Sequence, residues 1–328
     1  MNRCYQIFLN FTIAVGLTIF LSFLLLFSNL FIAASAQEES SLTTEILPQD
    51  WLRSAEQKID TGKHQEAISD LNQAILLQPD SALAYRYLCF AYIQIGDYHN
   101  AVTHCNQAIQ ISPQNSENYL HRGLAHYRLG EHQAAIADNT AAIQLKPFDF
   151  RAHYNRGLAS SSLGNPIAAI ADYNQALSLI PDDKSIFLAD IYNDRGLARL
   201  ELQDLEAASR DFSLAIRLND NDFRGYYNRG CACQRKGDPV SALHDFTYAL
   251  RLNPVNAQAY INRGLVRHRL GYHQAALTDL HKAYQCFGHQ GDRIAQQSIL
   301  DLIEKIQQRV RSGNLISTHL YQLLLIFG

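Results

Sequence analysis

The stretch YLHRGLAHYRLGEHQAAIADNTAAIQLKP, from Tyr119 to Pro147, decides the fold of this chain because close variants of it recur. The pattern returns 34 residues later, between His153 and Pro181, beginning HYNRGLAS and ending GNPIAAIADYNQALSLIP. It returns once more from Tyr192, after five extra residues. Self-similarity at a fixed period indicates one supersecondary unit that is stacked many times.

Numbering each unit from 1, with the proline near its end at position 32, gives seven units. Alanine occupies positions 20 and 27 in all seven, and position 8 is always small, as two closely crossing helices require. In six units a glycine follows the first helix, and in five a proline follows the second. The predicted units are 48–81, 82–115, 116–149, 150–183, 189–222, 223–256 and 257–287.

This pattern resembles the tetratricopeptide repeat family over residues 48–287. The resemblance implies an all-α fold, a right-handed α-solenoid (superhelix) of about seven helix hairpins. The five extra residues, Lys184 to Leu188, predict a longer helix or a bulged turn before unit five, with a local change of superhelical pitch. Residues 288–313 predict a C-terminal capping helix, because apolar residues recur there at helical spacing, at Ala295, Ile299, Ile303, Ile306 and Val310.

The N-terminal segment predicts export. Arg3 precedes an apolar run over 7–33 that ends at the small-residue site Ala34-Ser35-Ala36. This arrangement is typical of a signal peptide, residues 1–36, cleaved near Ala36. The run is also long enough for an uncleaved membrane anchor, and a buried core helix is the third interpretation.

Two further segments lie outside the repeats. Residues 37–47 read as a linker. The tail 314–328 is apolar but too short to span a bilayer. Docking on the end of the array, a membrane-surface contact and an accident of gene boundaries are its alternatives.

The composition limits the function classes. The net charge of −3 argues against a nucleic-acid partner, which requires a basic surface. Six cysteines without a CxxC spacing, and histidines without a ligand cluster, predict no metal site. The sequence contains no phosphate loop and no hydrolase motif, so we expect no cofactor and no catalytic residues.

An arginine at position 7 and an aspartate at position 23 recur together in units three to seven. Unit two loses both, to Leu88 and His104, and unit one keeps only Asp70, opposite Ser54. This co-occurrence predicts structural ion pairs that join the two helices of one hairpin. The predicted pairs are Arg122–Asp138, Arg156–Asp172, Arg195–Asp211, Arg229–Asp245 and Arg263–Asp279.

The family resemblance implies that the first helices line the concave face, with positions 2, 5, 6, 9, 12 and 13 toward a ligand. Asparagine recurs at position 6, where its amide can hold an extended peptide backbone; the alternative is that it solvates the helix surface. Arginines at position 13, with Arg151 and Arg224 at position 2, could make parts of the groove basic, but the favoured interpretation is a solvated helix face. The candidate peptide-binding residues are His121, Asn155, Asp194, Asn228, Asn262, Arg128, Arg235 and Arg269.

Cys89 and Cys105 occupy positions 8 and 24 of unit two, which face each other across the hairpin. In an exported chain they predict a disulfide, with buried free thiols as the alternative.

By resemblance, we expect a non-catalytic scaffold or assembly factor of bacterial type that binds protein or peptide partners in its groove. The alternatives are a membrane-anchored adaptor that retains 7–33 and, less favoured, an accessory subunit of an enzyme complex.

Overall fold

The computed structural model describes residues 47–181 and 185–312, and every regular element in that part of the chain is a helix. The signal or anchor segment, nearly all of the linker and the tail 314–328 lie outside the described residues. The helices are α1 Pro48–Asp60, α2 His64–Leu77, α3 Ala82–Gln94, α4 Tyr98–Ile111, α5 Ser116–Arg128, α6 His132–Leu145, α7 Phe150–Ser162, α8 Pro166–Leu179, α9 Ser185–Glu201, α10 Leu205–Leu218, α11 Phe223–Lys236, α12 Pro239–Leu252, α13 Ala257–Arg269, α14 His273–Gln290 and α15 Arg293–Ser312.

The helices form seven consecutive hairpins, from α1/α2 to α13/α14, and each helix packs on its neighbours in sequence. The predicted all-α solenoid of seven units is therefore confirmed. The expected longer helix before unit five is also present, since α9 has 17 residues whereas α7 has 13.

Small residues at the helix crossings make room for large ones on the facing helix. A Cβ atom added to Gly157 in α7 would lie 2.7 Å from Cε1 of Tyr173 in α8. At Gly196 the same addition would lie 2.6 Å from Cε1 of Phe212. Position 8 is thus small because position 24 carries the side chain that fills the hairpin.

The turn inside each hairpin requires a left-handed residue. At the end of α5, Gly130 has φ 79°, and glycine takes the same conformation in five other units. In unit five this place is held by Gln203, which has φ 61° and is the one non-glycine residue of the described chain with a positive φ. A side chain in this conformation carries backbone strain.

Helix α15 covers the apolar end of the array. Ile299, Ile303 and Ile306 are fully or nearly fully buried, and they cluster with Ile261 and Leu280 of unit seven. This is the predicted capping helix, with two corrections.

The first correction concerns Val310, which is 41% exposed because it lies a turn beyond Ile306, the last buried residue of α15; Leu302, at 5% exposure, belongs to the core instead. The second concerns the boundary at 287/288, which falls inside α14. Without a closing proline, α14 continues to Gln290, and Gly291 at φ 75° ends it.

Candidate functional site

Each of the five arginine–aspartate pairs forms a bidentate salt bridge between the two helices of its own hairpin. In unit four, Arg156 donates from Nε to Asp172 Oδ2 at 2.9 Å and from Nη2 to Oδ1 at 2.7 Å. In the other four units the Nη2–Oδ1 distance is 2.6–2.8 Å. The aspartate side chains are 1–10% exposed, so these charges are paired within the fold.

The remaining arginine nitrogen reaches the preceding unit, which sequence reasoning missed. Arg122 Nη1 donates to Asn106 Oδ1 at 2.7 Å, and Arg195 Nη1 donates to Asn174 Oδ1 at 2.7 Å. Serine or threonine accepts the equivalent bond in the other units. The acceptor is always at position 25. The recurrence of Asn, Ser or Thr at that position is the sequence feature that could have predicted this contact. Each arginine therefore connects three helices.

Unit one corrects the expectation that Asp70 faces only Ser54. The Nζ atom of Lys58 lies 2.6 Å from Asp70 Oδ2, and the Ser54 hydroxyl donates to the same oxygen at 2.6 Å. Lys58 stands at position 11, one helical turn after the usual arginine, and its long side chain spans the difference. Position 11 also supplies Arg199 and Arg267, which add a second guanidinium to the aspartates of units five and seven.

Unit two replaces the ion pair with a covalent bond. Cys89 and Cys105 are joined as a disulfide with a Cα–Cα distance of 5.2 Å, and both residues are fully buried. They are separated by 16 residues, the same spacing as the arginine and aspartate of the other units. Leu88 and His104 occupy the positions that carry the ion pair in units three to seven. The disulfide lies next to them, in the one unit that lacks both charged residues.

Position 6 of one unit contacts position 5 or 9 of the preceding unit. Asn228 donates to Asn193 Oδ1 at 2.8 Å, and Asn262 donates to Tyr227 Oη at 3.1 Å. Asn228 and Asn262 are only 8% and 5% exposed. Their amide nitrogens link adjacent first helices, so these side chains take part in the packing between units. Ligand binding by this column of asparagines stays a prediction.

The acidic member of the column, Asp194, makes the same kind of contact. The hydroxyl of Tyr154 donates to Asp194 Oδ2 at 2.7 Å. Burial raises the pKa of Asp194 above its usual value, and the hydrogen bond from Tyr154 opposes that shift.

Asn155 is the exception in the column. It is half-buried, and its side chain makes no hydrogen bond to any described residue. The preceding unit presents leucine at both neighbouring positions, Leu120 and Leu124, which offer no polar atom. The preceding unit has a polar side chain at position 5 in the case of Asn228 and Asn262, but not in the case of Asn155. This difference is the sequence signal that distinguishes Asn155.

The cationic candidates differ in what they offer a ligand. Burial lowers the pKa of His121 to about 4, and its ring lies 5.5 Å from that of Phe90, so it is neutral at physiological pH. At position 13, Arg128, Arg235 and Arg269 are exposed, and Arg235 Nη1 donates to the Leu200 carbonyl at 3.3 Å.

The two arginines at position 2 are each paired with carboxylates. Arg151 bonds Glu117 and Asp149, and Arg224 bonds Asp190 and Asp222. Each guanidinium thus lies between two carboxylates, both of them from the preceding unit.

Within residues 47–181 and 185–312, no three His, Cys, Asp or Glu side chains are grouped so as to hold a metal ion. The same described region contains no helix that is both long and apolar enough to cross a bilayer.

Comparison with known proteins agrees with this geometry. Models of the tetratricopeptide repeat match residues 51–81, 90–130, 116–149, 150–183, 189–222 and 227–290, which together exceed half of the chain. No curated protein sequence matches significantly.

Solved structures share the fold at low identity. A tetratricopeptide repeat protein from Parabacteroides merdae has 19% identity and a TM-score of 0.58, covering 78% of this chain and 98% of its own. PilW, a type IV pilus biogenesis factor, has 17% identity and a TM-score of 0.60 over 67% of this chain and 98% of its own.

The Cut9–Hcn1 assembly of the APC/C has 18% identity and a TM-score of 0.60 over 68% of this chain, which spans only 44% of that chain. These identities indicate a common fold and nothing more. The repeat matches and the seven hairpins together establish that the chain belongs to the tetratricopeptide repeat family.

Proposed function

We propose that this protein is a non-catalytic scaffold that binds an extended segment of a partner protein along its first helices, centred on Asn155. The family consists generally of protein-interaction and assembly scaffolds, which supports the class. The observation that carries the proposal is that, within the described part of the chain, the side-chain amide of Asn155 has no hydrogen-bond partner, whereas Asn228 and Asn262 are bonded between units.

The chemistry around Asn155 suits a peptide backbone. An amide side chain both donates and accepts, so it can pair with a backbone N–H and C=O whatever the partner's sequence. Leu197, at position 9 of the next unit, is 40% exposed and offers apolar contact to a side chain of the bound segment. A half-buried amide that gains hydrogen bonds on binding contributes about 0.5–1.5 kcal/mol for each of them.

A capture experiment tests the proposal. The tagged full-length protein is used to isolate bound partners, and Asn155→Ala is compared with Asn72→Ala. Asn72 is the matched control because it is an exposed asparagine on a second helix, α2. We expect Asn155→Ala to weaken capture of a specific partner several-fold, while Asn72→Ala leaves it unchanged. Equal capture by the two variants contradicts binding at Asn155.

We further propose that the array functions outside the cytoplasm. The basic start, the apolar run over 7–33 and the small residues before Gln37 support export. The disulfide between Cys89 and Cys105 supports an oxidising compartment. N-terminal sequencing of the exported protein distinguishes the two forms: a start at Gln37 means a cleaved signal, and an intact Met1 means a membrane-anchored adaptor.

A further inference from the structure

A cavity of about 550 Å³ lies beside the ion pair of unit six. Its walls come from α11 and α12 of that unit and from α10 of the preceding one, and they include Arg229, Cys233, Asp245, Ser241 and Ser209. None of its lining residues occupies a position assigned to the groove. The cavity is therefore a separate site. Experiments on the cavity can succeed or fail independently of the proposal for Asn155.

Units five and seven show which chemical group can occupy the equivalent place beside the aspartate. In unit five, Asp211 Oδ2 accepts from Arg195 Nε at 2.9 Å and also from Arg199 Nη1 at 2.8 Å. Unit seven repeats this arrangement, with two arginines on one carboxylate oxygen of Asp279. One aspartate of this repeat can thus hold two guanidinium groups.

In unit seven the second guanidinium finds a further acceptor. Arg267 Nη1 also lies 3.5 Å from the backbone carbonyl of Ala275, at position 19. The residue at position 19 of unit six is Ser241, which lines the cavity. The carbonyl of Ser241 is therefore a counterpart acceptor at the same place.

Unit six lacks the second arginine because position 11 is Cys233. Asp245 Oδ2 accepts from Arg229 Nε at 2.8 Å, the bond made in every paired unit, and no position-11 cation joins it among the described residues. The neighbouring Lys236 is engaged, with Nζ 2.7 Å from Glu206 Oε1. A carboxylate oxygen has two lone pairs, so Asp245 retains capacity for another donor.

We propose that the unit-six cavity binds the guanidinium group of an arginine side chain from a partner protein. The incoming group takes the place of Arg199 and Arg267 in the other units, donating to Asp245 Oδ2 and to the Ser241 carbonyl. A planar guanidinium fits two acceptors at fixed angles better than a compact ammonium does. The site would give the scaffold a second point of recognition.

The test uses N-acetyl-arginine amide as a mimic of an arginine within a chain, and N-acetyl-citrulline amide as its uncharged isostere. Binding to the full-length protein is measured by calorimetry. We expect one site for the arginine compound and at least about tenfold weaker binding of the citrulline compound, a difference of about 1.4 kcal/mol, because citrulline lacks the charge that strengthens the hydrogen bond to Asp245.

Two variants make the assignment specific. Cys233→Arg fills the cavity with the chain's own guanidinium, so binding should be lost. Arg199→Cys opens the corresponding space at Asp211, so the stoichiometry should rise from one to two. Unit six itself demonstrates that a hairpin forms without a cation at position 11.

Equal binding of the citrulline compound, undiminished binding by Cys233→Arg, or unchanged stoichiometry in Arg199→Cys would each overturn the proposal. Free arginine is the remaining arm of the test. If it binds and the capped form does not, the ligand is the free amino acid and the assignment to a protein side chain is wrong.

Discussion

The turn of unit five offers a mutation that should stabilise the protein. Gln203 has φ 61° at the place where six other units have glycine. Its turn has the same backbone hydrogen bonds as the turn at Gly130: Gln203 N lies 3.2 Å from the Leu200 carbonyl, and Gly130 N lies 3.0 Å from that of Tyr127. The two turns therefore differ in the side chain and not in their geometry.

The expected magnitude follows from two opposing terms. A non-glycine residue in the left-handed conformation costs roughly 1–2 kcal/mol. Introducing glycine destabilises the folded protein by roughly 0.5–1 kcal/mol, because the unfolded chain gains conformational freedom. The variant Gln203→Gly should therefore raise the free energy of unfolding by about 0–1.5 kcal/mol, the difference between these two terms.

Urea unfolding followed by circular dichroism measures this change, with two controls. Gly130→Ala should lower the free energy of unfolding by a similar or larger amount, since an added Cβ there meets no atom within 4 Å and only backbone strain is introduced. Gln203→Ala should have little effect, because the residue is exposed and the strain remains. A loss of stability in Gln203→Gly would refute the reasoning.

Three further changes test the interior of the hairpins by the same unfolding assay. Asp211→Asn removes the charge that two arginines share in a nearly inaccessible position and should cost about 2–4 kcal/mol; a cost below about 0.5 kcal/mol would contradict a structural role for the pair. Gly196→Ala drives a Cβ against Phe212 and should cost about 1–3 kcal/mol, whereas a neutral result would mean that the crossing is looser than described. Reducing the Cys89–Cys105 disulfide releases a closed loop spanning 16 residues and should lower the free energy of unfolding by about 3 kcal/mol. Reductant should have no effect on the variant in which both cysteines are replaced by alanine. If reductant does not change the stability of the unmodified protein, the result counts against the disulfide.

The repeat period was enough to predict the helices and their pairing. Small residues at fixed positions predict where two helices cross, and the structure fills each crossing with the residue at position 24, such as Tyr173 against Gly157. These features depend on contacts inside one unit, where sequence separation determines spatial separation.

Contacts between units were harder to predict from the sequence. Asn228 and Asn262 stand in the same column as Asn155, yet only their neighbours in the preceding unit bury them and take their hydrogen bonds. A pattern read along one unit does not contain this information. Comparing positions 5 and 9 of one unit with position 6 of the next would have separated the three.

Side-chain length explains the error at unit one. Pairing by position alone left Asp70 without a cation, because Ser54 occupies the arginine position. Lys58 reaches the same carboxylate from one turn further along α1. A long flexible side chain makes the position of a charge an unreliable guide to the position of its contact.

Site-specific photo-crosslinking tests the central claim most directly. A photoreactive amino acid is placed at Leu197, 40% exposed on a first helix, or at Leu76, 72% exposed on the second helix of unit one. Binding along the first helices predicts partner adducts from position 197 that fall when Asn155→Ala is added, and none from position 76. Adducts from position 76 alone, or adducts at 197 that Asn155→Ala leaves unchanged, would contradict recognition on this face.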